Sequence, residues 1–215
     1  MASVFYKIIY NMQTRLYNKI INNKHRKDEK MKVCIIQPPY SVDYEKTDEY
    51  FREEIDFLEK CDDSMDIIVM PESCDIPCLA KTKEQAEASV EKFNDKLLKK
   101  VSETAKRFNA MVFVNARFKN DKGYRNTTYA FNRDGQIAGK YFKEHLVPSE
   151  VSVMKLDSDY SFEFSNPTVV EMEGIRFGFL ICYDFYFYEN FANMARQNLD
   201  IIIGCSHQRS DTHQP

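Results

Sequence analysis

The sequence has no tryptophan, no marked excess of charge of either sign, and no apolar run close to the ~20 residues that cross a bilayer. It also lacks internal repeats, low-complexity linkers and a secretory signal. The first absence limits the aromatic core to Phe and Tyr. With a formal net charge of −3, nothing points to nucleic acid as a partner. The six cysteines (Cys34, Cys61, Cys74, Cys78, Cys182 and Cys205) form no disulfide framework of the small-secreted-domain type. A reducing, cytoplasmic setting is therefore expected. Cys74 and Cys78 are separated by three residues, with no second Cys/His pair at zinc spacing. They are expected to be half-buried thiols in a loop.

What is present suits one domain. The 215 residues suffice for a sizeable core, and 43% hydrophobic with 29% charged residues is an ordinary soluble composition. Charge is unevenly spread: residues 1–30 hold seven Lys/Arg and two Asp/Glu, a net of +5, so the rest carries −8. Phe5, Ile9, Met12, Leu16 and Ile20 recur at helical spacing, which predicts a basic amphipathic helix. Such a helix fits a membrane surface, the protein's own body, or a leader ahead of a start at Met31. An extension without catalytic role is the preferred reading, with membrane association not expected.

From Met31 onward strands and helices alternate. Strands are predicted at 32–37, 66–70, 110–116 and 200–204, and helices at 47–60, about 83–108 and about 188–197. Two hairpins are predicted, one around Asp134-Gly135 and one around Glu173-Gly174. A two-residue Asp-Gly turn would need positive φ at both residues. Strands 67–70 and 201–203 are apolar on both faces and are expected to be central. The pattern predicts an α/β domain with helices covering mixed sheets.

Three titratable residues stand just past strand ends: Glu72, Lys143 and Cys182. Ligands gather at strand carboxyl ends in open α/β sheets, so the placement suggests a site. Singly, each has a plainer explanation as a loop acid, a surface lysine or a small buried thiol. Their flanks carry a resemblance. Residues 31–37, Val69-Met70-Pro71-Glu72-Ser73, Gly139-Lys140-Tyr141-Phe142-Lys143-Glu144-His145-Leu146-Val147-Pro148 and Gly178-Phe179-Leu180-Ile181-Cys182-Tyr183-Asp184 resemble, in order, the opening strand and the Glu, Lys and Cys motifs of the nitrilase, or carbon–nitrogen hydrolase, superfamily.

The resemblance covers residues 31 to about 205. It implies a domain from 31 to 215 and a four-layer α-β-β-α sandwich with mixed sheets. Family domains usually continue further, so the second half is expected to be incomplete and the domain truncated at its C-terminus. The implied roles are Cys182 as nucleophile, Glu72 as general base, Lys143 as the third member, Glu150 as the acid positioning that lysine, and the Tyr183 backbone N–H in an oxyanion hole. The reaction would be thiol-dependent hydrolysis of a small amide or N-carbamoyl compound through a thioester, without metal or organic cofactor. Tyr183-Asp184 after the nucleophile favours amides over nitriles. The sequence departs from the family at Tyr186, where Arg is usual, at Tyr188, where Pro is usual, and in Asn198-Leu199-Asp200, where a Gly is lost. Homodimers or larger homo-oligomers are common in the family. Two other readings are a Cys–His hydrolase using His145 or His207, and a truncated or degenerate homologue serving only as a binding or assembly module.

Overall fold

The computed structural model describes residues 30–121, 123–154 and 168–207. The helix expected within residues 1–29 lies outside them. The first sheet has the spatial order β1 (Val33–Ile35), β2 (Ile67–Val69), β3 (Met111–Asn120), β4 (Gly123–Phe131) and β5 (Ile137–Phe142). The first three strands are parallel, and β4 and β5 run antiparallel. Parallel neighbours need long crossovers. α1 (Thr47–Glu59) and α2 (Lys83–Phe108) supply them.

α2 starts where the Thr82 side chain accepts the Gln85 N–H, and stops at Asn109, whose φ is 52°. Those are ordinary start and stop signals. Its stripe of Val90, Phe93, Leu97, Val101, Ala105 and Phe108 is buried. Much of that stripe packs on Ile68, Val112, Val114 and Tyr129 of the first sheet.

The second sheet holds β6 (Val170–Met172), β7 (Ile175–Ile181) and β8 (Ile201–Cys205), with β6–β7 antiparallel and β7–β8 parallel. α3 (Tyr188–Ala195) lies in the β7–β8 crossover. The two sheets share one core. Ile67, Val69, Met111, Phe113, Ala130 and Tyr141 of the first meet Phe177, Phe179, Ile181 and Ile203 of the second, with the Phe113 and Phe177 rings 4.9 Å apart. The other face of β7 is covered from the α3 side. A Cβ on Gly178 would come within 2.3 Å of Leu199 Cδ1 and near Met194. Both sheets are mixed, as the strand and hairpin pattern implies.

Three expectations change. β2 is central, but β8 lies at the edge of its sheet among the described residues. Its Ile203 and Cys205 are buried toward the first sheet, whereas Ile202 and Gly204 on the other face are only partly covered, so apolar residues on both faces do not make a strand central. Cys74 and Cys78 are fully buried rather than half-buried. The Asp134-Gly135 turn has positive φ only at Gly135, at 72°, whereas Glu173 and Gly174 have φ of 53° and 77°. The difference lies at Asn132, whose Oδ1 accepts the N–H groups of Asp134 and Gln136. That side chain holds a wider, right-handed turn, and the β4–β5 register shifts at Ala130/Phe131.

The Gly135 turn also docks on α2. A Cβ there would lie 2.4 Å from the Ser102 carbonyl oxygen. Backbone cannot swing aside as a side-chain tip can. Gly135→Ala should therefore combine left-handed strain with overpacking and cost about 2–5 kcal/mol, read from urea unfolding.

Candidate active site

Alternate residues of β3 face the second sheet. Met111 and Phe113 come first, then Asn115 and Arg117, all buried. On β4, Asn126 and Thr128 lead to Ala130 on the same face. The space between the sheets is thus apolar at one end and polar at the other. Buried polar groups need partners. Here they organise the loops that leave β2 and β5.

Glu72 lies in the loop after β2. Asn115 pins that loop, accepting the Ser73 N–H at Oδ1 (2.6 Å) and the Cys74 N–H at its backbone oxygen (2.9 Å). Ser73 has φ of 59°, so the backbone turns sharply just after the acid. Lys143 is the first residue beyond β5, and its backbone N–H still donates to the Asn126 carbonyl. Its Nζ donates to Glu72 Oε1 at 2.9 Å and to both oxygens of Glu150 at 3.0 and 2.8 Å. Asn126 Nδ2 donates to both carboxylates, at 3.0 Å each, and Asn115 Nδ2 donates to Asn126 Oδ1 at 2.8 Å. Glu150 also accepts the Val147 N–H and lies 3.9 Å from Arg117 Nη2. At 3% exposure it is no solvated loop acid.

Cys182 follows β7 directly, with φ of 46° at the start of a 3-10 turn over Cys182–Tyr186. Its Sγ points to the His207 carbonyl at 3.9 Å, and the His207 N–H donates to Glu72 Oε2 at 3.2 Å. Glu72 lies near enough for its charge to act on the thiol, while His207 links the two through its backbone. Glu72, Lys143, Glu150 and Cys182 are therefore brought together from three segments, with Lys143 and Glu150 both in the one that leaves β5.

Electrostatics set the charge states. Burial alone would raise the Glu72 carboxyl, but the Lys143 ammonium reverses this and holds it down at about 2. Burial likewise opposes charge on Lys143, and Glu72 and Glu150 more than offset it, so its pKa lies above the usual lysine value. Burial first, and Glu72 second, push the Cys182 thiol up to about 12 despite Lys143. At neutral pH the site holds a carboxylate, an ammonium and a neutral thiol.

The family model described as carbon-nitrogen hydrolase matches residues 32–215. The protein belongs to that family, in the nitrilase superfamily. Solved structures share the fold over part of their length. A carbon-nitrogen hydrolase from Helicobacter pylori G27 has 19% identity and a TM-score of 0.63, covering 82% of this chain and 59% of its own. Saccharomyces cerevisiae Nit3, of branch 10 of the nitrilase superfamily, has 21% identity and a TM-score of 0.63, covering 85% and 66%. An amidase from Nesterenkonia sp. AN1, with acrylamide added at its active-site cysteine, has 14% identity and a TM-score of 0.61, covering 82% and 67%. The present sequence thus spans about three-fifths to two-thirds of their lengths. No curated protein sequence matches it significantly.

Within this carbon–nitrogen hydrolase domain, sequence reasoning missed Asn115, Asn126 and Arg117, and read Asp184 as part of the Cys motif without its structural role. The first three had a legible signal: polar residues at every second position where strands should be apolar. Asp184, fully buried, joins two of the segments. Its Oδ2 accepts the Tyr141 hydroxyl and the Ile181 N–H, both at 3.0 Å. Oδ1 accepts the Glu144 and His145 N–H groups at 3.1 and 2.8 Å. One carboxylate thus ties the Lys143 loop to the Cys182 turn. Asp184→Ala would leave several buried donors unpaired and should cost about 3–5 kcal/mol in urea unfolding.

Proposed function

We propose that this protein hydrolyses the carbon–nitrogen bond of a small amide or N-carbamoyl compound through a Cys182 thioester. The observation that carries the reading is the Glu72 carboxylate bound to the Lys143 ammonium at 2.9 Å and joined through the His207 backbone, whose N–H it accepts, to the Cys182 thiol. Because the thiol is neutral and the carboxylate ionised, Glu72 is the proton acceptor. As Sγ bonds to the carbonyl carbon, Glu72 takes the thiol proton. It then gives that proton to the leaving nitrogen as the C–N bond breaks. Lys143 and the Tyr183 N–H, near the open start of the 3-10 turn, face the developing oxyanion; one such donor is typically worth ~10²–10³ in rate. Glu72 next deprotonates the water that cleaves the thioester to a carboxylic acid. Glu150 and Asn126 act by holding Lys143 and Glu72 in place. The helices outside the two facing sheets support a four-layer α-β-β-α arrangement for the domain, and an amidase among its structural neighbours favours the amide class.

The Cys–His reading has weaker support. The His145 ring lies 3.2 Å from Asp184 Oδ1 and stacks on Phe187, and the His207 ring packs on Tyr40. Burial lowers His207 to about 4, so its imidazole is neutral near pH 7.

The deciding experiment measures ammonia release from a panel of small amides and N-carbamoyl amino acids. Release identifies the thiol amidase and its substrate class. No release from protein shown to be folded would replace this reading with the binding or assembly module. The charge states give a second expectation. A free thiol ionises near ~8.5, so its alkylation levels off above about pH 9.5. Cys182, raised to about 12, should alkylate with iodoacetamide ever faster up to at least about pH 10, without a plateau.

A further inference from the structure

Two cysteines outside the site face each other. Cys34 lies on β1, an edge strand among the described residues, and Cys61 lies just beyond the C-terminal end of α1. Their sulfurs are 3.7 Å apart across 27 positions of sequence. That is contact distance, so closing to a bond needs only a small shift of two side chains. Cys61 is 7% exposed, whereas Cys34 is half-buried beside the more open Val33. Cys74, Cys78 and Cys205 are fully buried, and Cys182 belongs to the active site.

We propose that Cys34 and Cys61 are a reversible dithiol–disulfide pair, oxidised by a low-molecular-weight disulfide of the glutathione class. The chemistry runs in two exchanges. Cys34 attacks one sulfur of the small disulfide, whose S–S bond breaks and releases one small thiol. Cys61 then attacks the Cys34 sulfur of the mixed disulfide and expels the second small thiol. The protons of the two protein thiols end on the two released thiols. The protein gives up two electrons and the small disulfide gains them. The order follows from exposure, since Cys34 is the sulfur an oxidant reaches.

The product is a covalent clamp between the end of α1 and the edge of the first sheet. It closes a loop that includes α1 and Tyr40, which packs on His207 of the active-site segment. Cross-linking removes freedom mainly from the unfolded state, so the oxidised form should melt about 6–12 °C higher than the reduced form.

The test equilibrates the folded protein with oxidised glutathione, blocks remaining thiols, and maps disulfides by peptide fragmentation. The expected result is a Cys34–Cys61 bridge, the rise in Tm, and loss of both in Cys34→Ser and in Cys61→Ser. Parallel treatment in denaturant should scatter bridges among all six cysteines, which separates native geometry from chance pairing. A stable glutathione adduct on Cys34 with Cys61 still alkylatable would overturn the proposal. So would two free thiols after oxidation, or an equal rise in Tm in the serine variants.

Discussion

Cys182→Ala should reduce ammonia release from the preferred amide by ~10⁴-fold or more while leaving the protein folded. Both halves of that expectation come from the site. The thiol supplies the only bond that would carry the acyl group between the two steps. Without it, Glu72 and Lys143 retain an oxyanion-stabilising field but have no nucleophile to activate, and direct attack by water is the remaining route. Stability responds differently because Cys182 contributes no charge. Its thiol is held neutral by burial, and its sulfur makes one long contact to the His207 carbonyl. Alanine removes little volume, so the loss in urea unfolding should be about 1 kcal/mol. Steady-state kinetics beside unfolding curves checks both. A variant that unfolds, or one that retains more than a few per cent of the rate, would contradict the assigned role.

Lys143→Met should damage activity and fold together. Lys143 is buried between two buried carboxylates, Glu72 and Glu150. Methionine fills a similar volume but leaves those acids without their principal cation. Removing one partner from such a cluster typically costs about 3–5 kcal/mol. The pH dependence gives the diagnosis. In the native protein Glu72 is depressed to about 2, so its contribution is fully present above the unfolded value near ~4.3 and is lost as pH falls from there through 2. In Lys143→Met the sign reverses, because burial, no longer opposed by the ammonium, now raises the Glu72 carboxyl. Protonation relieves it, so the variant loses stability as pH rises. The stability gap between native and variant should therefore be largest near neutral pH and narrow toward about pH 5. Unfolding curves at the two pH values check this. A constant gap would indicate that lost packing, rather than uncompensated charge, is responsible.

Local patterns were legible where one physical cause dominated. The α2 stripe depends on residues within a turn or two of one another, and the helix appears at Lys83–Phe108 as its period implies. β7 likewise appears at Ile175–Ile181, set by the Glu173-Gly174 turn. The Asp134-Gly135 turn was misread because Asn132, outside the dipeptide, captures two N–H groups and selects another conformation. The edge position of β8 was misread because apolar residues on both faces imply burial on both, whereas Ile202 and Gly204 are only partly covered.

Candidate residues, and the pairing of Glu150 with Lys143, could be named from the resemblance, but the asparagines and the aspartate that hold them could not. Glu72, Lys143 and Cys182 stand at strand ends far apart in sequence, and nothing local requires those ends to meet. Their approach follows from sheet pairing, from the apolar contact between the sheets, and from Asn115, Asn126 and Asp184, which hold the loops across distances of up to 54 residues. The sequence by itself determined the family, the α/β class, the order of elements and which residues could do chemistry, because periodicity, turn residues and short motifs are local or linear properties. Only the tertiary structure decided that Glu150, expected beside Lys143, is fully enclosed there, that burial keeps the thiol neutral, and that Cys34 faces Cys61. Burial, charge state and contact are set by what the fold brings alongside each residue, and none of them is written at the position itself.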